Sequence, residues 1–123
     1  MNTNAVADLI LGYLETKHSR CYRNKPPKSP VFPYVVFRIE SDTDSYPSND
    51  LYLNIDIYED INTSVRAIED IADSIDIGLN HTTINTNELN VQFEKEQRQY
   101  VTPEELVSSH LVNLRYVVRV YFK

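Results

Sequence analysis

Side chains suited to making and breaking bonds are scarce in this chain, and their spacing builds no reaction centre. Nucleophilic catalysis needs a base within hydrogen-bond reach of a Ser, Cys or Lys, and the imidazoles on offer are His18, His81 and His110. Ser109 and His110 are neighbours, but adjacency does not align a hydroxyl with an imidazole, and the pair reads as part of a solvated loop. Asp42-Thr43-Asp44 opens as a calcium loop does, yet the following Gly is missing and Leu53 stands where the closing Glu belongs. Gly12 and Gly78 are the only glycines, too few for a phosphate-cradling loop or a dinucleotide fingerprint. Cys21 lies in a basic stretch that could lower its pKa, but as the single cysteine it has no disulfide or zinc partner and reads as incidental. Glu69, Asp70, Asp73 and Asp76 fall largely opposite an apolar stripe, as a solvated helix face does. The expectation is a protein that is not an enzyme, with no catalytic residue, metal or cofactor.

The charged residues are informative in another way. A net charge of -6 argues against indiscriminate binding to nucleic acid, but it averages over two unlike segments. Lys17, Arg20, Arg23, Lys25 and Lys28 follow one another with no intervening acid, whereas residues 40–76 carry many carboxylates, Asp42 and Asp44 among them, against Arg66 alone. The basic stretch, interleaved with Tyr22, suits nucleic-acid phosphates or an acidic protein surface; the remaining reading is a solvated loop. The acidic segment of a second copy supplies such a surface. Head-to-tail contact between unlike patches of identical chains gives a ring when the rotation closes and a filament when it does not.

These residues must be carried by a domain of 123 residues, enough for one core, since folding at this size hides roughly two-thirds of the unfolded surface. Val6, Leu9, Ile10, Tyr13 and Leu14 recur at helical spacing and predict a helix from Thr3 to about Lys17. Residues 19–33 hold four of the six prolines, which remove backbone donors, so an extended, exposed arm is expected there. Alternation predicts strands over Tyr34–Glu40 and Leu51–Tyr58, joined as a hairpin by an acidic connection, 41–50, that projects into solvent. Asn62 or Thr63 is expected to cap a second helix with Val65, Ile68, Ala72, Ile75 and Leu79 on its apolar side. Leu89, Val91 and Phe93 start a third strand whose continuation, Glu94 to Gln99, loses its apolar face and should leave the core. Alternation from Val112 to Phe122 gives the fourth. The expected fold is α+β, a four-stranded largely antiparallel sheet with two helices on one face, in the order αββαββ. The opposite face shows Tyr52, Asn54, Asp56, Tyr58, Arg115, Arg119 and Tyr121, and tyrosine and arginine are types enriched in protein interfaces. The candidate contact residues are therefore Arg20, Arg23, Lys25 and Lys28 on the arm, Asp42 and Asp44 on the acidic connection, and Tyr52, Tyr58, Arg115, Arg119 and Tyr121 on the sheet. No apolar run reaches the ~18 residues of a membrane span, and the start lacks a signal-peptide pattern, so a cytoplasmic chain with no membrane partner is expected.

The stretch Phe32-Pro33-Tyr34-Val35-Val36-Phe37-Arg38-Ile39, the strand Leu53-Asn54-Ile55-Asp56-Ile57-Tyr58, the helix from Ile68 to Leu79 and the strand Leu114-Arg115-Tyr116-Val117-Val118-Arg119-Val120-Tyr121 resemble the tail-completion, or tail-terminator, proteins of phages and prophages with long flexible tails. The resemblance covers the leading helix and nearly everything from Val31 onward. It implies a structural part that assembles as a ring of six copies on the finished tail tube, stops its growth and presents a surface to the head connector, with DNA at most passing through. Its place would be the tail end of the virion, after assembly in the bacterial cytoplasm. Two other classes stay open: an acidic regulatory module that imitates DNA through the carboxylates of 40–76, and a small enzyme whose pocket is assembled by folding.

Overall fold

The structure is a computed structural model that describes residues 3–45, 48–101 and 109–122, except the side chains of 41–45 and 48. The elements are α1 (Thr3–Glu15), β1 (Cys21–Arg23), β2 (Tyr34–Ser45), β3 (Ser48–Asp60), α2 (Arg66–Leu79), β4 (Thr82–Asn85), β5 (Leu89–Val101) and β6 (Ser109–Phe122). The four-stranded αββαββ expectation is overturned. One curled, mixed sheet holds six strands in the order β1-β2-β3-β6-β5-β4, with β1 parallel to β2 and every other pair antiparallel.

Both additional strands sit at the edges, where a strand needs only one neighbour. β1 lies within the proline-rich arm, upstream of Pro26, and sets Cys21 and Arg23 beside Val35 and Phe37. Backbone bonds fix its two ends, from Val35 N–H to the Arg20 carbonyl at 2.9 Å and from Asn24 N–H to the Phe37 carbonyl at 2.8 Å. His18 Nε2 and Arg20 Nε reach the Pro33 carbonyl at 2.8 and 3.0 Å. The arm is thus tied down at both ends and loops out between them, with Lys25, Lys28 and Val31 exposed. β4 is four residues, Thr82-Thr83-Ile84-Asn85, with one apolar side chain and no legible alternation.

The predicted hairpin is longer than expected. Residues 41–45 and 48–50, assigned to a projecting connection, continue the ladder through Asp42↔Leu51, Asp44↔Asn49 and Ser45↔Ser48.

Alternation then builds the core. Val35, Phe37, Leu51, Leu53, Ile55, Ile57, Val112, Leu114, Tyr116, Val118 and Val120 face one side together with Leu89, Val91 and Phe93. That side is covered by Val6, Ala7, Ile10 and Leu14 of α1 and by Ile68, Ala72, Ile75 and Leu79 of α2. Two tyrosines bring polar bonds into this layer, and each is satisfied, as buried hydroxyls must be. Tyr13 Oη donates to the Ile75 carbonyl at 2.8 Å, tying α1 to α2. Tyr116, fully buried, donates to Asp76 Oδ1 at 2.6 Å. A Cβ at Gly78 would collide with the Tyr13 hydroxyl, so glycine is what permits this close crossing.

α2 begins at Arg66, later than expected, and neither Asn62 nor Thr63 caps it. The N-cap is Val65, without a side-chain cap bond. Asn62 is taken up instead by a turn in which its N–H reaches Asp60 Oδ1 at 2.9 Å, and Ser64 Oγ accepts the Arg66 N–H at 3.1 Å.

β5 stays paired with β6 along its whole length, to Val101↔Leu111, but the register shifts between Lys95 and Gln97. Glu96 is the extra residue of a bulge, which moves every later side chain to the other face. Lys95 opposite Tyr116 and Arg98 opposite Leu114 therefore both point toward the helices.

Candidate protein interface

The face away from the helices is where the sequence placed its tyrosines and arginines, and the registers explain how they meet. Three cross-strand rows run over β2, β3 and β6: Val36–Asp56–Asn113, Arg38–Asn54–Arg115 and Glu40–Tyr52–Val117. Directly and diagonally opposed side chains in such rows lie within contact distance. Arg38 reaches Asp56 at 3.3 Å and Glu40 at 3.8 Å, and Arg115 reaches Glu40 at 3.4 Å and Glu96 of β5 at 3.6 Å. The Arg115 guanidinium also lies over the Tyr52 ring, 4.3 Å from its centroid, a cation–π placement. Arg119 stands 3.9 Å from Asp50.

Asp56 is the most deeply held charge of this lattice, only 6% exposed on a face that no helix covers. Burial of a carboxylate requires compensation, which Asn113 Nδ2 supplies at 2.7 Å and Arg38 from the other side. Tyr34 and Tyr58, opposite one another, stack with centroids 4.9 Å apart, and Phe32 and Tyr22 pack against Tyr34. Burial, reinforced by the Asp56 charge, pushes the Tyr58 hydroxyl up to about 12, so it remains a neutral donor at physiological pH. The surface is preorganised: its long side chains are already fixed, which lowers the entropy lost on docking a partner.

Tyr52, Tyr58, Arg115, Arg119 and Tyr121 thus share one face, as the alternation predicted. The arm residues stand elsewhere, at the β1 edge. Arg20 holds the carbonyls of Phe32 and Pro33 and Arg23 holds Asn4 Oδ1 at 2.9 Å, so both are structural ties. Lys25 and Lys28 are exposed and have no ion pair among the described residues. Asp42 and Asp44 lie on β2 opposite Leu51 and Asn49, and their side chains lie outside the described residues. Sequence reasoning missed Tyr34, Arg38 and Glu96 as members of the face. The first two were visible in the alternation of β2, and Glu96 in that of β5, where Leu89, Val91 and Phe93 put Glu94 and Glu96 on the other side and the bulge changes the phase only beyond Glu96.

The remaining candidates for chemistry disperse. Ser109 and His110 belong to β6, not to a loop, and neighbours on a strand point to opposite faces; His110 Nδ1 lies 2.8 Å from the Tyr100 hydroxyl. Cys21 is buried, and burial followed by the Glu15 charge pushes its thiol up to about 11, the reverse of the lowering its basic neighbours suggested. The α2 carboxylates are only partly solvated: Arg98 bridges Glu69 and Asp73 at 2.5 and 2.6 Å, and Asp76 takes Lys95 Nζ at 2.9 Å. Burial alone would raise the Asp76 carboxyl, but the hydrogen bonds of Tyr116 and Lys95 and the charges of Lys95 and Arg98 outweigh it and leave it below the usual range. An open groove of about 390 Å³ lies over β4 and β5, where His81 and Glu94, 3.9 Å apart, are both largely exposed. No described helix is long and apolar enough to cross a membrane.

No family model matches the chain, and no curated protein matches it in sequence. Its fold is shared with solved structures. A chain of a structure described as the virion of a native gene transfer agent particle superposes with a TM-score of 0.62 at 13% identity, over 88% of this chain and 84% of that one. A second solved chain, whose name states no function, superposes with a TM-score of 0.65 at 14% identity, over 95% of this chain and 96% of that one. At these identities the likeness is one of fold, and it extends over nearly the whole chain.

Proposed function

We propose that this chain is a structural part of a phage-type particle: copies assemble as a ring, six on the family resemblance, on the end of the finished tail tube, stop its growth and present a face to the head connector. The observation that carries this reading is the fold shared along 88% of the chain with a chain of a gene transfer agent virion. The fixed lattice of Arg38, Tyr52, Asp56 and Arg115 supports it, since such a face suits a lasting protein contact better than turnover. The chain works by geometry, without catalysis or cofactor. Its place is the tail end of the virion after assembly in the host cytoplasm, with DNA at most passing through the ring. The rival reading as an acidic imitator of DNA is disfavoured because Asp56, Glu69, Asp73 and Asp76 are spent on Arg38, Arg98 and Lys95.

Negative-stain electron microscopy of the purified protein mixed with tail tubes from its own phage or prophage tests this. Annular density at one tube end is expected. Bare tube ends, together with retention of a nuclease or DNA-binding protein in pull-downs, would transfer the assignment to the rival.

A further inference from the structure

The two edges of the sheet are stepped in opposite senses. On one edge β1 covers only Val35 to Phe37, and among the described residues Arg38 to Ser45 has no strand on its outer side. On the other, β4 covers Asn90 to Phe93 and Asn80 Oδ1 takes the Lys95 N–H at 2.9 Å, leaving Glu96 to Val101 without an outer strand among the described residues. The registers show that the steps are level with one another. Cys21 stands in one row with Val35, Ile57, Val112 and Tyr100, and Arg23 in one row with Phe37, Ile55, Leu114 and Arg98. Thr82 likewise stands in one row with Phe93, Val118, Leu51 and Asp42. Each projecting strand on one edge is therefore at the height of the recess on the other.

We propose that copies of this chain dock edge to edge through these steps, β1 entering the recess beside Glu96–Val101 of the next copy and β4 the recess beside the distal half of β2. Strand directions make the first contact antiparallel and the second parallel, because β1 runs with β2 while β5 runs against it. A recess of six residues is about 20 Å long, enough for the roughly 10 Å of a three-residue strand with its flanking turn. Level docking has no rise along the strands, which is what a closed ring requires and a filament does not.

Charge selects the occupant as a second copy. The β1 edge presents Arg23, Lys25 and Lys28, and residues 16–39 contain no carboxylate. The recess lies under α2, since Arg98 is bound to Glu69 and Asp73 and carries the acidic side of that helix, exposed Asp70 included, to this edge. Arg23 is tied to Asn4 of α1, so the basic edge lies on the same side of the sheet as its acidic counterpart. The ring reading gives this docking its setting, but the docking is tested on the purified chain alone.

Lys25 follows the bond from Asn24 to Phe37, one row from the level of Arg38, Asn54, Arg115 and Gln97, and both Lys25 and Gln97 are exposed. A chain carrying Lys25→Cys and Gln97→Cys, treated with a short bismaleimide at the highest attainable concentration, should give a ladder of trimers and larger species. Each single variant should give no species beyond the unsubstituted chain, whose Cys21 is buried. Adding Lys28→Glu should deplete the ladder and Asp70→Lys should restore it; 1 M salt, where the screening length falls to about 3 Å, should deplete it too. A double variant that stays monomeric, or single variants that dimerise through one thiol, would overturn the docking. A ladder without caps on tail tubes retires the tail reading and leaves the docking standing, whereas caps without a ladder do the reverse.

Discussion

Gly78 and Asp76 show how much rests on single side chains of α2. In an exposed helix, replacing Gly by Ala gains about 1 kcal/mol, but here the new methyl meets the Tyr13 hydroxyl and its bond to the Ile75 carbonyl. Losing that bond costs roughly 0.5–1.5 kcal/mol, and the displaced ring adds strain. Gly78→Ala is therefore expected to be neutral to destabilising in the parent and stabilising by about 0.5–1 kcal/mol in a Tyr13→Phe background, as urea midpoints of the four chains would show; equal effects in both would refute the contact. Asp76 sets an acid limit. Its folded carboxyl lies below its unfolded value, so its contribution is complete above the ordinary carboxylate range and is lost as pH falls through the folded pKa. Melting temperatures between pH 7 and pH 3 should fall less steeply for Asp76→Asn, from a lower starting point; an unchanged slope would assign the acid sensitivity elsewhere. Neither role was legible in sequence, where Asp76 looked like one more carboxylate of a solvated face. Its partners, Lys95 and Tyr116, lie on different strands, and no helical spacing reveals them.

Among the elements, those with a full period of apolar residues were legible and those defined by a neighbour were not. β3 and β6 announce themselves through Leu51, Leu53, Ile55, Ile57 and through Val112 to Phe122, because each buries a whole side. β1 and β4 bury little of their own and exist because β2 and β5 offer them an edge. The candidate face was readable for the same reason as β3 and β6: side chains opposite a clean apolar alternation must share the other side. The bulge at Glu96 escaped notice because Lys95-Glu96-Gln97-Arg98 is polar in either phase, so the pattern contains no break. Deleting Glu96 should leave a regular ladder with Lys95 and Arg98 still opposite Tyr116 and Leu114, so that Arg98 keeps Glu69 and Asp73 and only Arg115 loses a partner. Hydrogen exchange should then stay little changed in α2 and in β5 beyond Lys95, whereas faster exchange confined to those two segments would mean that the bulge itself holds Arg98 against α2.

At the scale of the whole molecule, topology carries a demand that no residue shows. β1, β2 and β3 are consecutive, as are β4 and β5, and the strand that joins these two groups is β6. Both groups leave the ribosome before their connector does. Until Ser109 to Phe122 emerges, β3 and β5 each present a long side with free amides beside apolar side chains, the type of surface that recruits other chains. Pairing across such separations is slow, since loop closure must precede any reward. The nascent chain therefore passes through a sticky state, in which charged side chains of β5 and of the acidic flank of α2 oppose pairing with other chains.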